Sequence, residues 1–193
     1  MRSGIPLPEP IFGGLLVGGA SRRMGRPKAT LPFGERKLAE VAADALSASV
    51  AEIVLLGAGP VPGSLADNRR LPDPPGLEGP LAGLLAALRW APHAAWVIAA
   101  CDLPRVMPEA VAWLIAQRRS GQLAVLPRVG PGFEPLLAIY EPEAGPLLEE
   151  LVSSGRRAPR LIAAHPAVAT PEPPPEIVNC WQNANTLKGL PPA

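Results

Sequence analysis

The chain has 193 residues, a formal net charge of +1, 48% hydrophobic residues, 27 prolines and two cysteines. That length is enough for one domain with a sizeable core. The near-neutral charge leaves no footprint for nucleic acid or an anionic membrane, and no apolar run approaches the length of a membrane-spanning helix. Residues 1–10 lack the charged region and apolar core of a signal peptide, so we expect a cytoplasmic protein. We read residues 1–10 as an N-terminal extension with no assigned role and 11–193 as a single domain.

Residues 11–17 form an apolar run that predicts a first buried strand. It ends in Gly18 and Gly19; Ser21, Arg22, Arg23, Met24 and Gly25 follow, and Lys28 comes three residues after Gly25. Glycine lets backbone approach a ligand closely and leaves N–H donors exposed, while fixed cations suit phosphate. A nucleoside triphosphate fits that chemistry; a plain basic turn is the alternative. The Walker loop is excluded, because five residues separate Gly19 from Gly25 and Ala29 follows Lys28. The dinucleotide pattern GxGxxG is absent as well.

Further along, residues 37–49 have helical spacing in Leu38, Val41, Ala42, Ala45 and Leu46. Residues 53–56 predict a short strand ended by Gly57 and Gly59, and a proline-rich connection covers 72–80. Residues 81–90 predict a helix, 95–100 an apolar strand, and 108–119 a helix with Pro108 in its first turn. Strands are expected at 123–126 and 136–140, a helix at 143–152 and a connection at 167–175. Alternating strands and helices predict a three-layer, Rossmann-like α/β fold, its sheet mostly parallel with helices on both faces. Ligands then sit beyond the carboxyl ends of the strands. Gly18 and Asp102 both fall at such ends, so two distant segments can share one cleft. A carboxylate at a strand tip can hold Mg²⁺ against a polyphosphate; capping of the turn or of the helix near Pro108 is the other reading of Asp102.

The pattern LxGGxSxRMGxxKAxL at residues 16–31 resembles the signature of the molybdenum cofactor guanylyltransferases, nucleotidyltransferases of α/β fold. Four more segments keep that family's order: Gly79-Pro80-Leu81-Ala82-Gly83, Cys101-Asp102-Leu103-Pro104, Glu134-Pro135-Leu136-Leu137-Ala138-Ile139-Tyr140 and Asn183-Ala184-Asn185-Thr186. The resemblance implies transfer of GMP from GTP to the phosphate of molybdopterin, with release of pyrophosphate. It assigns Lys28 and Arg23 to the triphosphate and Asp102 to Mg²⁺, and makes these three the catalytic group. Leu16, Val17 and Gly18 match the segment whose backbone meets the base, and Gly19 and Ser21 belong to the same nucleotide-binding loop. Asp73 resembles the acid that accepts from guanine or ribose, with Glu78 and Asp67 as competitors and a turn Asp between prolines as the bland reading. Gly79 and Gly83 would let the loop and the next helix approach nucleotide or pterin. Asn183 and Asn185 correspond to acceptor contacts, although Asn185 or Thr186 can equally cap a last turn. Molybdoenzymes or their chaperones are the implied protein partners.

The chain departs from the family's pattern in the extension 1–10 and in two further segments, and differs at one position of the base segment. The family often has Asn after the second strand, where this chain has Leu55-Leu56-Gly57-Ala58-Gly59. The final Asn-x-Asn-Thr runs into Leu187, Lys188 and Gly189 rather than into Pro and acidic residues. Val17 stands where Ala is usual; Val-Gly-Gly favours GTP, whereas relatives using CTP tend toward Ala-Ala-Gly. Two other readings stay open: a cytidylyltransferase or other NTP transferase of the same fold, and a non-catalytic nucleotide-binding module that delivers cofactor.

Several residues carry bland expectations. Cys101 and Cys180 lack metal-ligand spacing and read as buried free thiols. His93 and His165 have no partners spaced for zinc or a triad. The tryptophans read as packing. Arg156, Arg157 and Arg160 read as a solvated cluster, with binding of the acceptor's phosphate as the sharper alternative, and Glu134 as a thin candidate for orienting the acceptor.

Overall fold

The computed structural model describes residues 7, 9–18 and 27–184. In chain order the described elements are β1 (Ile11–Leu16), β2 (Pro32–Phe33), β3 (Arg36–Lys37), α1 (Leu38–Ser47), β4 (Ile53–Leu56), β5 (Arg70–Leu71), α2 (Pro80–Trp90), β6 (Ala95–Ala100), α3 (Pro108–Ala116), β7 (Ala124–Val125), β8 (Arg128–Val129), β9 (Gly132–Phe133), β10 (Leu137–Tyr140), α4 (Gly145–Ser153) and β11 (Val168–Ala169). Seven strands form the main sheet in the order β11-β7-β10-β6-β1-β4-β5; β2-β3 and β8-β9 are separate hairpins.

The predicted strands and helices are present with small end shifts, and the two short hairpins, β5 and β11 are additions. β11 lies inside the stretch read as a connection: Val168 and Ala169 pair with Ala124 and Val125. Within the main sheet β10 runs antiparallel to β6 and β7, and the other pairings are parallel.

Period-two alternation splits the core into two layers. Leu15, Leu55, Val97, Ala99 and Ile139 face one side, with the alanine-rich faces of α1 and α3 (Ala39, Ala42, Ala43, Ala110, Val111, Leu114). Leu16, Leu56, Trp96, Ile98, Ala138 and Tyr140 face the other, with Leu81, Leu84 and Leu85 of α2 and Leu148 of α4. Small residues on α1 bring that helix close to the sheet. Its first turn is pinned by the Glu40 carboxylate, which accepts from the Lys37 backbone N–H at 2.6 Å.

One buried ion pair lies at the end of the sheet opposite the carboxyl ends of the parallel strands. Arg118, just past α3, donates from Nε and Nη2 to Glu141 Oε1 and Oε2 at 2.7 and 2.9 Å. Both side chains are almost fully buried, and Glu9 adds a second carboxylate 3.5 Å from Arg118 Nη1. The Arg118 guanidinium is held above its usual range by these carboxylates, against the opposing effect of burial. Among the described residues no helix is long and apolar enough to cross a membrane.

Candidate active site

Parallel register brings three strand ends level: Leu16 pairs with both Leu56 and Ala100. Just beyond them sit Gly18, Gly57 and Asp102, so a single edge collects residues from three distant parts of the chain. With β5 outside β4 and β10 outside β6, that edge reads Asp73, Gly57, Gly18, Asp102, Glu134 across the sheet. At the usual strand spacing, Gly57 and Asp102 lie two strands, or about 10 Å, apart.

The loop after β4 packs directly on the end of β1. Val17 and Gly18 donate their N–H groups to the Leu56 carbonyl at 3.0 and 3.3 Å. Gly57 has φ +96°, and a Cβ there would stand 2.8 Å from Gly18 Cα. A Cβ on Gly59 would overlap the Val17 carbonyl oxygen. Both glycines are therefore required by backbone-on-backbone contact. Arg70 holds the loop from β5, its Nη1 donating to the carbonyls of Gly59 at 2.7 Å and Gly57 at 3.2 Å. This arginine had no signal in the sequence, because a two-residue edge strand has no readable period. Leu16 and Val17 are buried, whereas Gly18 is exposed at the rim.

Asp73 follows β5 and reaches the same rim: its Oδ1 lies 3.7 Å from the point a Gly57 Cβ would occupy. Partial burial, aided by the charge of Glu78, raises its carboxyl above the usual range. Glu78 thus belongs to the same neighbourhood. Asp67 does not, because it precedes β5 and lies toward the other end of that strand. Gly79 caps α2 with φ +82°, and the space beside it is open. The reading of Gly83 as a ligand-approach glycine is corrected: a Cβ there would meet Leu16 Cδ2 at 2.6 Å and Leu56 Cβ at 3.2 Å, so it serves helix–sheet packing.

Lys28 opens a 3₁₀ turn, Lys28–Thr30, anchored by buried Ala29. Its Nζ donates to Asp102 Oδ2 at 2.6 Å, bridging 74 residues of sequence. The side chains are 25% and 14% exposed, so the pair is sheltered yet reachable from the cleft. Buried Leu103 fixes the turn after Asp102. A cation and a carboxylate so arranged supply the two charge types that a polyphosphate carrying a divalent cation requires. Asp102 offers one hard oxygen ligand, and among the described residues no group of three or more His, Cys, Asp or Glu could hold a metal alone. Magnesium fits such a site, since it usually takes one or two carboxylates and fills its shell with phosphate oxygens and water. Cys101, next in line, is unsuited to nucleophilic work: burial, with the charge of Asp102 adding, pushes its thiol up to about 12.

On the far side of Asp102 the C-terminal segment closes in. The Ala184 N–H donates to the Asp102 carbonyl at 2.8 Å, and Trp181 Nε1 donates to the Leu137 carbonyl at 2.8 Å. Trp181 also packs edge-on against Trp113, which bears out its reading as a packing residue. A cavity of about 310 Å³ opens here, lined by Val129, Glu134, Trp181, Gln182 and Asn183. Burial raises the Glu134 carboxyl above its usual range, and Arg160 partly opposes the shift. Glu134 and Asn183, 49 positions apart, thus share one pocket. The expectations on Gly19, Ser21, Arg22, Arg23, Asn185 and Thr186 lie outside the described residues.

The model of the MobA-like NTP transferase domain matches residues 13–168. A relative from Pelotomaculum thermopropionicum, named probable molybdenum cofactor guanylyltransferase, is 37% identical over 128 residues, covering 66% of this chain and 62% of its own length. The chain thus spans less than two thirds of that relative. A protein of the same name from Synechococcus elongatus is 35% identical over 157 residues, covering 74% of this chain and 78% of that protein. Among solved structures, molybdopterin-guanine dinucleotide biosynthesis protein A from Archaeoglobus fulgidus superposes with a TM-score of 0.73 at 26% identity, over 93% of this chain and 94% of that one. The fold, the strand-tip site and a match over residues 13–168 agree: the chain belongs to the MobA-like NTP transferase domain family.

Proposed function

We propose that this chain transfers GMP from GTP to the phosphate of molybdopterin, forming the guanine dinucleotide of the molybdenum cofactor and releasing pyrophosphate. The observation that carries the reading is the shared edge: the Gly18–Gly57 backbone contact, the Lys28–Asp102 pair and the Asn183–Ala184 segment meet at adjacent strand ends. Relatives named guanylyltransferases support the substrate assignment.

In this reading the guanine lies against Leu16, Val17 and Gly18, with Asp73 accepting from its N–H edge. Gly79 leaves room beside the nucleotide. Lys28, with Arg23, Ser21 and the Gly19 loop, holds the triphosphate. Asp102 is the residue that would hold Mg²⁺, which when bound neutralises charge on the phosphates. An acceptor phosphate oxygen attacks the α-phosphorus in line. The bond from that phosphorus to the bridging oxygen breaks, and pyrophosphate leaves with the electron pair. The attacking phosphate is already anionic near neutral pH, so no general base is needed. The chain's contribution is positioning and fixed positive charge. Asn183 and Asn185 contact the acceptor.

The test is pyrophosphate release by the purified protein with molybdopterin and Mg²⁺, offered GTP, CTP, ATP or UTP separately. Release with GTP alone is expected. Release with CTP would move the base assignment while keeping the reaction, and no release from protein that still binds GTP would reduce the chain to a binding module.

A further inference from the structure

We propose that Glu134 reads the pterin end of the acceptor, its carboxylate accepting from the two adjacent N–H donors of a 2-amino-4-oxopyrimidine edge. This rests on the guanylyltransferase reading above and names the group that selects the acceptor's ring. The cavity at Glu134 lies across Asp102 from the guanine side, so a molecule with its phosphate at Asp102 would extend its other end there. At about 310 Å³ the cavity is at the lower end of ligand-site volumes, a size for a ring system rather than a whole nucleotide. Trp181 and Val129 supply apolar wall, while Asn183 and Gln182 add polar wall, the Gln182 amide being held by Arg105 Nη1 at 3.1 Å and Asn179 Oδ1 at 2.8 Å.

The decisive feature is the acid. The backbone N–H of Glu134 donates to the Pro127 carbonyl at 2.9 Å, which fixes the chain where this residue lines the cavity. An ionised carboxylate is acceptor-only, so it repels phosphate and matches a pair of N–H groups. Half-buried, it gains from donors brought by a ligand. Arg160 lies close enough to favour the charged form. Guanine carries the same donor edge, so the pocket's chemistry is shared by two ring systems; its place beside Asn183, away from Gly18 and Asp73, favours the acceptor.

The test compares wild type with Glu134→Gln, which keeps size but turns an amide N–H toward the ligand. Binding of pterin and of lumazine, its analogue with 2-oxo in place of 2-amino, is followed by tryptophan fluorescence. Transfer kinetics are measured in parallel. Wild type is expected to prefer pterin, and E134Q to lose about ten- to hundredfold of that preference. The KM for molybdopterin should rise by a similar factor while the KM for GTP stays unchanged. An equal pterin-to-lumazine ratio in both proteins would overturn the proposal, as would displacement of pterin by GTP with the kinetics of one shared site. Should wild type show Glu134-dependent pterin selectivity but no transfer with any nucleotide, the guanylyltransferase reading fails and the pocket assignment stands.

Discussion

Replacing Lys28 by Met removes one ammonium and little volume, which makes it a sharp probe of the site. At 2.6 Å the pair's gross Coulomb energy is about 1.6 kcal/mol with the dielectric of water and about 6 kcal/mol at an effective dielectric of 20. The exposures of 25% and 14% put the pair between surface and interior. After desolvation and side-chain ordering, roughly 1–3 kcal/mol remains for folding. For a chain of this size that is about 2–12 °C in melting temperature. The catalytic loss should be larger and separable: removing one preorganised donor to developing charge costs roughly 10²–10³ in kcat. Lys28→Met should therefore lower kcat by that factor, measured as pyrophosphate release at saturating GTP, in protein that still melts cooperatively. Arg36→Met serves as control, since its ion pair with Asp44 is exposed and separate from the Lys28–Asp102 pair. Wild-type turnover by Lys28→Met would refute the placing of Lys28 on the triphosphate.

Other expectations reach further from that pair. Glu141→Ala removes the bidentate buried partner of Arg118, leaving Glu9 at 3.5 Å, and should cost about 3 kcal/mol in denaturant unfolding, while kcat of the folded fraction holds. Gly59→Ala drives a methyl into the Val17 carbonyl, so the GTP dissociation constant should rise at least tenfold, read by calorimetry, with smaller change in acceptor KM. Asp73 gives a pH signature. Its carboxyl is raised by burial and by Glu78, so it protonates at higher pH than an ordinary Asp and stops accepting from guanine. GTP affinity should fall as pH drops through that raised value, and Asp73→Asn should flatten the profile. For folding the sign is opposite: the burial penalty on the carboxylate acts above the raised value and is relieved on acidification.

Strands 53–56 and 95–100 and the two-faced sheet were legible in the sequence because each is a continuous apolar run between turn residues. The reversal of β10 was not, since an apolar strand reads alike in either direction. β5 and β11 have two residues each, too few for a period, and so the loop clamp by Arg70 stayed hidden. For the site, the glycine turn and Asp102 announced themselves by type and by position at strand ends. What spacing could not give was partnership. Lys28 and Asp102 read as members of one site with different tasks, and only the fold closes 74 residues into a direct contact. Likewise Glu134, a thin candidate alone, gains weight from sharing a cavity with Asn183. Gly83 erred the other way, because a glycine for packing and one for ligand approach look identical in sequence.

The most direct test of the central claim is the mass of the product formed from GTP, molybdopterin and Mg²⁺ by wild type and by Asp102→Asn. Wild type should yield a guanine dinucleotide of the pterin with equimolar pyrophosphate, and Asp102→Asn almost none despite an intact fold. Equal yields from the two proteins, or pyrophosphate without the dinucleotide, would contradict that claim.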